Sequence, residues 1–430
     1  MNILVEQSGY PLANMGDLAM LEMSICRLKS LYPDAKFKVF NSAPEKLKHH
    51  IQDVQSLGNS GLNIWLSPLS KRYVETLPKA YRESCLHWEW KFKVNHPFLA
   101  KRLIEYKYRY SPESLTNLSN FLKSLEEADL VVATGGGYIT DAFPNKVNST
   151  LGILGLAQKM DKPTVMLGHG LGPFSSRLTV SQARLVLSRV KKITLREKLR
   201  SLPFLKSLGI DNSQIIVTGD DAIELSHRNR SKNLGNGVGI NLRVAKYSNI
   251  ASDSSEVLRK CIHKFAAEMK APLVSIPIEF IEHNSDVSSI RKITDGYDGE
   301  IREITMPESP DKIAKQINHC RIVITGSYHA GVFALSQGIP VVAIVRSQYY
   351  VDKFSGLFDQ FGNVGSKILF LEDRDFSENL QSTLSELWDF PEEKRYLLLE
   401  IASKQIETGK KAYDQVMKDL PPIENVIENL

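Results

Sequence analysis

His329 stands inside an apolar run, TGSYHAGVFALSQGIPVV at 325–342, three residues after Gly326 and where a helix would begin. A histidine in the first turn of a helix feels the positive dipole end, which disfavours a lone imidazolium. An anionic ligand at the same spot restores the charge and leaves a proton donor beside it. The same pattern also suits a histidine hydrogen-bonded within a core. Ser327 is placed to cap that helix.

Other residues with useful chemistry recur after short apolar runs. Arg196 follows the run at 192–195, and a guanidinium fork there would match a carboxylate or phosphate, or would pair with an acid such as Glu197. Arg243 holds the equivalent place after 238–242, and Asp220 with Asp221 follows 214–218, suited to orienting a hydroxyl or capping a turn. Gly135, Gly136 and Gly137 follow 129–134 and could hold phosphate through backbone N–H groups or simply permit close packing; Asp141 beyond them could cap a helix. His169 lies between Gly168 and Gly170, and His283 with Asp286 follows another apolar run, in IPIEFIEHNSD. In the first loop, GYPLANMGD, Asn14 offers donor and acceptor near a helix start, and Asp17 is placed to cap a helix from Leu18.

These residues fall where strands give way to helices. Apolar runs at 2–5, 36–40, 129–134, 164–167, 192–195 and 214–218 alternate with helical patterns, then the alternation restarts at 238–242, 272–276, 300–304, 321–325 and 340–345. Such alternation predicts parallel, doubly wound sheets with helices on both faces, and ligands beyond the carboxyl ends of the strands. Two Rossmann-like domains are expected, at 1–228 and 237–372, joined by a polar linker and facing each other across a cleft, with a helical tail at 373–430. The segment 71–110 breaks the pattern: ten basic and four acidic residues are interleaved with nine aromatics. It predicts a helical insertion, either a small subdomain with an aromatic core or a platform for a sugar or anionic acceptor.

The totals fit a chain of more than one domain: 430 residues, 42% hydrophobic and 24% charged, with a net charge of only +5. That excess does not imply nucleic acid as a partner. Four scattered cysteines suggest neither disulfides nor a zinc site, and no ligand cluster implies a metal. With no signal peptide or spanning segment apparent, a cytoplasmic protein is expected, with contact at the inner face of a membrane left open.

The motifs GYPLANMGDLAMLE, DLVVATGGGYITD, VMLGHGLGP, ITLREKLRS, GDDAIEL and SYHAGVFALSQGIPVVAI, in this order, resemble the polysaccharide pyruvyl transferase family over most of the chain; the insertion and the tail lie outside the resemblance. It implies a glycosyltransferase-B-like fold and transfer of a pyruvyl group from phosphoenolpyruvate to a sugar or lipid-linked saccharide, usually as a ketal, with no cofactor. It places the family histidine on His329, its Arg-Glu motif on Arg196, and its first-loop Asn and Asp on Asn14 and Asp17. The family commonly has Arg-Leu before the histidine, whereas Ser327-Tyr328 stands here, so Arg196, Arg243 or Lys353 must supply the donor's countercharge. We therefore assign catalysis to His329 and Asp17, donor binding to Arg196, Arg243, Ser327, Gly135, Gly136, Gly137 and Lys353, and acceptor binding to Asn14, His169, Asp220 and His283. Two alternatives stay open: a glycosyltransferase using a nucleotide-sugar donor, and a non-catalytic glycan-binding protein.

Overall fold

The computed structural model describes residues 1–7, 9–242, 252–281, 285–303 and 308–418. The first lobe is built on seven strands: β1 (Asn2–Glu6), β2 (Lys36–Asn41), β3 (Val54–Gly58), β4 (Leu130–Ile139), β5 (Thr164–Leu171), β6 (Lys192–Leu195) and β7 (Ile215–Val217). They form one parallel sheet in the order β3-β2-β1-β4-β5-β6-β7. The second lobe carries β8 (Gly237–Asn241), β9 (Leu273–Ser275), β10 (Ile301–Arg302), β11 (Cys320–Thr325), β12 (Val341–Val345) and β13 (Ser366–Phe370), ordered β10-β9-β8-β11-β12-β13. The sequence reading missed β3 and β13. Both are outer strands with mixed burial, so neither shows the continuous apolar run of a strand covered on both faces.

Side-chain alternation divides the core. Ile3 and Val5 of β1 face a cluster that includes the helix Met15–Leu31 and continues through the second lobe, whereas Leu4 faces a cluster with Phe40, Val131 and Trp65. The helices Lys71–Thr76, Lys79–Asn95 and Pro97–Lys107 cover that second side, where Trp90, Val94, Ala100 and Ile104 are buried. The 27-residue helix Glu392–Lys418 runs from the second lobe, where Leu398 and Ala402 are buried, back to the first. There the Tyr413 hydroxyl bonds Ser24 Oγ and Asp221 Oδ2, both at 2.9 Å.

The strand order reverses between β1 and β4 in one sheet and between β8 and β11 in the other. Chains diverge at such points, and a crevice opens beyond the strand ends. The loop after β1, the end of β4 and the turn after β11 therefore meet where the lobes face. Backbone hydrogen bonds of 2.8 Å from Met15 N to Ile278 O and from Phe280 N to Ala13 O stitch the lobes together at this seam.

Candidate active site

The helix Tyr328–Ser336 follows β11 through Gly326 and Ser327, and every residue in it is buried. Its first two residues point back into the seam. His329 Nδ1 lies 4.0 Å from Asp17 Oδ1 and its Nε2 lies 3.7 Å from Asp220 Oδ2, both carboxylates belonging to the first lobe. Gly16 makes this approach possible, because a Cβ there would overlap the imidazole. Arg196, just past β6, stacks its guanidinium on the Tyr328 ring at 4.0 Å from the centroid. The same guanidinium reaches Asp220 Oδ2 at 3.5 Å. Its partner is thus Asp220 rather than the neighbouring Glu197, which binds Ser201 and the Arg200 backbone instead.

Four atoms here are buried without a hydrogen-bond partner: Arg196 Nε, Asp220 Oδ2, Tyr328 Oη and His329 Nε2. Asp220 Oδ2 keeps only the longer ion-pair contacts to Arg196 Nη1 at 3.5 Å and His329 Nε2 at 3.7 Å, and folded chains rarely leave buried polar atoms without a hydrogen bond. The four gather at the seam and are drawn from both lobes. Beside it lies a small cavity of about 50 Å³, bordered by Gly137, Gly170, Arg196, Tyr328, Tyr349 and Lys353. The Lys353 ammonium lies 4.7 Å from the Tyr349 ring centroid, and Arg196, Arg200 and Lys353 border the opening together with the carboxylates of Glu197 and Asp352.

Burial dominates the electrostatics. It pulls His329 down to about 3, with Asp17 opposing and Arg196 and Lys353 reinforcing the shift, so the imidazole is neutral at pH 7. Burial raises Asp220 to about 6 against the lowering effect of Arg196 and of the Ala222 amide. A ligand with two or more negative charges would offset the cations and return basicity to the imidazole.

Several expectations need correction. His169 is fully buried; its Nε2 meets Ala133 O at 3.1 Å and its ring packs edge-on against Tyr138 at 5.6 Å, and it does not border the seam cavity. Gly170, Leu171 and Gly172 border the cavity instead. Gly135, Gly136 and Gly137 are not a strand-to-helix turn, since β4 continues through them to Ile139. A Cβ on Gly135 would meet Met20 and Gly168, and one on Gly136 would meet Tyr138; only Gly137 abuts Arg196 and Lys353. Asn14, not Asp17, caps the helix Met15–Leu31: its Oδ1 accepts from Gly16 N and Asp17 N, while its Nδ2 donates to Glu279 Oε2 of the other lobe at 2.8 Å. That leaves Asp17 to face His329 and Asn14 engaged in joining the lobes. Ser327 occupies the cap position without a capping bond; its backbone N–H donates to Thr325 Oγ1 instead. Asp141 accepts from Ser175 N rather than capping a helix. Arg243 and His283 lie outside the described residues, and Asp286 accepts from Asn241 Nδ2, Ile278 N and Glu279 N, a structural role. Asp221, beside Asp220, is paired with Arg27.

Tyr328 and Tyr349 escaped the sequence reading, although Tyr328 adjoins the histidine. Also unforeseen were ion pairs from first-lobe Arg200 to Asp352 and from Lys198 to Asp359, the latter at 3.2 Å. Among the described residues, no group of three His, Cys, Asp or Glu is arranged to hold a metal.

Comparisons with known proteins bear on the fold and the family. The chain is 25% identical over 267 residues to the amylovoran biosynthesis protein AmsJ of Erwinia amylovora, covering 57% of this chain and 62% of that protein, less than two thirds of its length. Two solved structures share the fold: UDP-GlcNAc 2-epimerase from Neisseria meningitidis (TM-score 0.56, 12% identity, 97% of this chain and 100% of that one) and MurG from Acinetobacter baumannii (TM-score 0.50, 12% identity, 97% and 99%). The architecture is therefore glycosyltransferase-B-like. The sequence profile described as polysaccharide pyruvyl transferase matches residues 14–348, more than half of the chain. This chain belongs to the polysaccharide pyruvyl transferase family.

Proposed function

We propose that this chain transfers a pyruvyl group from phosphoenolpyruvate to a saccharide in the biosynthesis of an exopolysaccharide or other envelope glycan, with the reaction centred on His329. The observation that carries the reading is the cluster of four buried polar atoms without a hydrogen bond at the lobe seam, beside a cavity that Arg196 and Lys353 border.

The donor's phosphate and carboxylate are held by Arg196 and Lys353, whose charges suit a trianionic small molecule. Its negative charge brings a proton onto His329, and Asp17 and Asp220 favour that charged form from either side. The imidazolium gives this proton to the methylene carbon, which becomes the methyl group while C2 becomes cationic in character. A sugar hydroxyl adds to C2 and returns its proton to the neutral imidazole. A second hydroxyl then displaces phosphate from C2 and closes the ketal, its proton leaving with the phosphate. Asp220 and Asp17 act as positioning groups that hold the ring's tautomer and aim.

The test is phosphate release from phosphoenolpyruvate across a panel of saccharide acceptors, with mass analysis of the product. The expected product gains one pyruvic acid less one water. If nucleoside diphosphates protect the protein thermally and phosphoenolpyruvate does not, the chain is instead a nucleotide-sugar glycosyltransferase.

A further inference from the structure

Among the described residues, exposed large hydrophobic side chains are concentrated in one region. Nine of the fifteen fall between 73 and 110, although that segment is less than a tenth of the chain. Trp88 is 74% exposed, Phe98 82% and Tyr110 85%. The helix Pro97–Lys107 explains how they arise. Ala100 and Ile104 face the core, so folding draws on a narrow inward stripe. Leu99, Leu103 and Tyr106, spaced i, i+4, i+7, share an outward stripe that packing does not require. Apolar surface gathered in this way marks an interaction face.

Its charge selects the partner. The segment 71–110 holds ten basic residues against four acidic. The cations sit among the rings: the Arg109 guanidinium lies 4.2 Å from the Tyr106 centroid and 4.5 Å from that of Tyr110, and the Lys107 ammonium lies 4.9 Å from that of Tyr108. Aromatic rings mixed with cations suit the headgroup layer of a bilayer, where rings reach the acyl boundary and cations meet phosphodiesters. A second copy of the chain would bring like charge against like charge. No helix among the described residues is long and apolar enough to cross a membrane. We propose that this helical insertion docks the protein on a bilayer surface bearing anionic headgroups, lying in the interfacial layer without crossing it.

The inference does not depend on the catalytic reading, since docking is measured without turnover. The full chain is sedimented with vesicles of phosphatidylcholine alone or mixed with phosphatidylglycerol, at low and high salt. Salt-sensitive binding to the anionic vesicles is expected, with little binding to phosphatidylcholine. The double variants Leu103→Ser/Tyr106→Ser and Arg102→Glu/Arg109→Glu should each weaken it roughly tenfold or more while keeping the wild-type thermal midpoint. Should one variant fail to fold, the other still reads the effect. Absence of binding to anionic vesicles, or equal binding by folded variants, overturns the proposal. So does sedimentation-velocity evidence of self-association abolished by Leu103→Ser/Tyr106→Ser, which would give the face to a second copy.

Discussion

At the scale of single residues, the site rests on a histidine kept neutral by burial and flanked by two carboxylates of the opposite lobe. On the proposed mechanism His329→Gln removes the group that moves the proton and should lower kcat on the order of 10²-fold or more, as read by steady-state phosphate release, with the fold intact. The same variant has a signature in stability. His329 titrates near 3 when folded and near 6.5 when unfolded, so below pH 6.5 the unfolded chain binds more protons. Its stabilising contribution is complete above pH 6.5 and drains away as pH falls, by about 1.4 kcal/mol per pH unit. His169, lowered to about 4, acts in the same direction. Asp220 acts in the opposite one: raised to about 6 from 3.8, it takes its proton earlier in the folded chain, and its burial penalty eases as pH drops through that window. Urea midpoints of wild type and His329→Gln between pH 5 and 6.5 isolate the His329 contribution; the variant should show the shallower loss. The histidine and the arginine were legible as residues at strand ends. Their partners were not, because Asp220 and Tyr328 reach Arg196 only once β6, β7 and β11 converge.

The elements set that convergence. Apolar runs revealed the inner strands, and the reversal of strand order then fixes where the crevice lies. The turn chemistry was harder to read. A triple glycine looks like a phosphate loop, yet β4 runs on through it because Gly135 must pass closely against Gly168 and Met20. Likewise a histidine between two glycines looks accessible, but β5 is an inner strand covered on both faces, and His169 packs against Tyr138 and Ala133 O. Gly137 is the exception and offers a test. Its backbone is not in the left-handed region, so alanine meets no backbone strain there. The added methyl instead meets the Arg196 guanidinium and comes within 3.1 Å of Lys353 Cε. Gly137→Ala should therefore raise KM for phosphoenolpyruvate by about tenfold or more with a thermal midpoint near wild type. An unchanged KM would separate the cavity from the donor.

Over the whole molecule, the seam works only if two lobes hold a fixed relation. The Asn14–Glu279 bond, the Arg200–Asp352 pair and the returning helix Glu392–Lys418 provide it. At the far end of that helix the Tyr413 hydroxyl donates to Asp221, a buried carboxylate also paired with Arg27. Tyr413→Phe leaves the ring packing in place and removes that donor, which should cost about 1–3 kcal/mol of stability in urea unfolding. The sequence shows a helical tail here, but nothing local to it could show that it recrosses to the first lobe, since its contact partners lie near residues 24 and 221. The central claim is that the seam binds a small anionic donor through Arg196. Calorimetric titration with phosphoenolpyruvate, and separately with a nucleoside diphosphate, tests it most directly. The expected result is binding of phosphoenolpyruvate by wild type, weakened roughly tenfold in Arg196→Lys where the guanidinium fork is lost, and no binding of the nucleoside diphosphate. Equal affinity of both proteins for phosphoenolpyruvate, or binding of the nucleoside diphosphate alone, would contradict it.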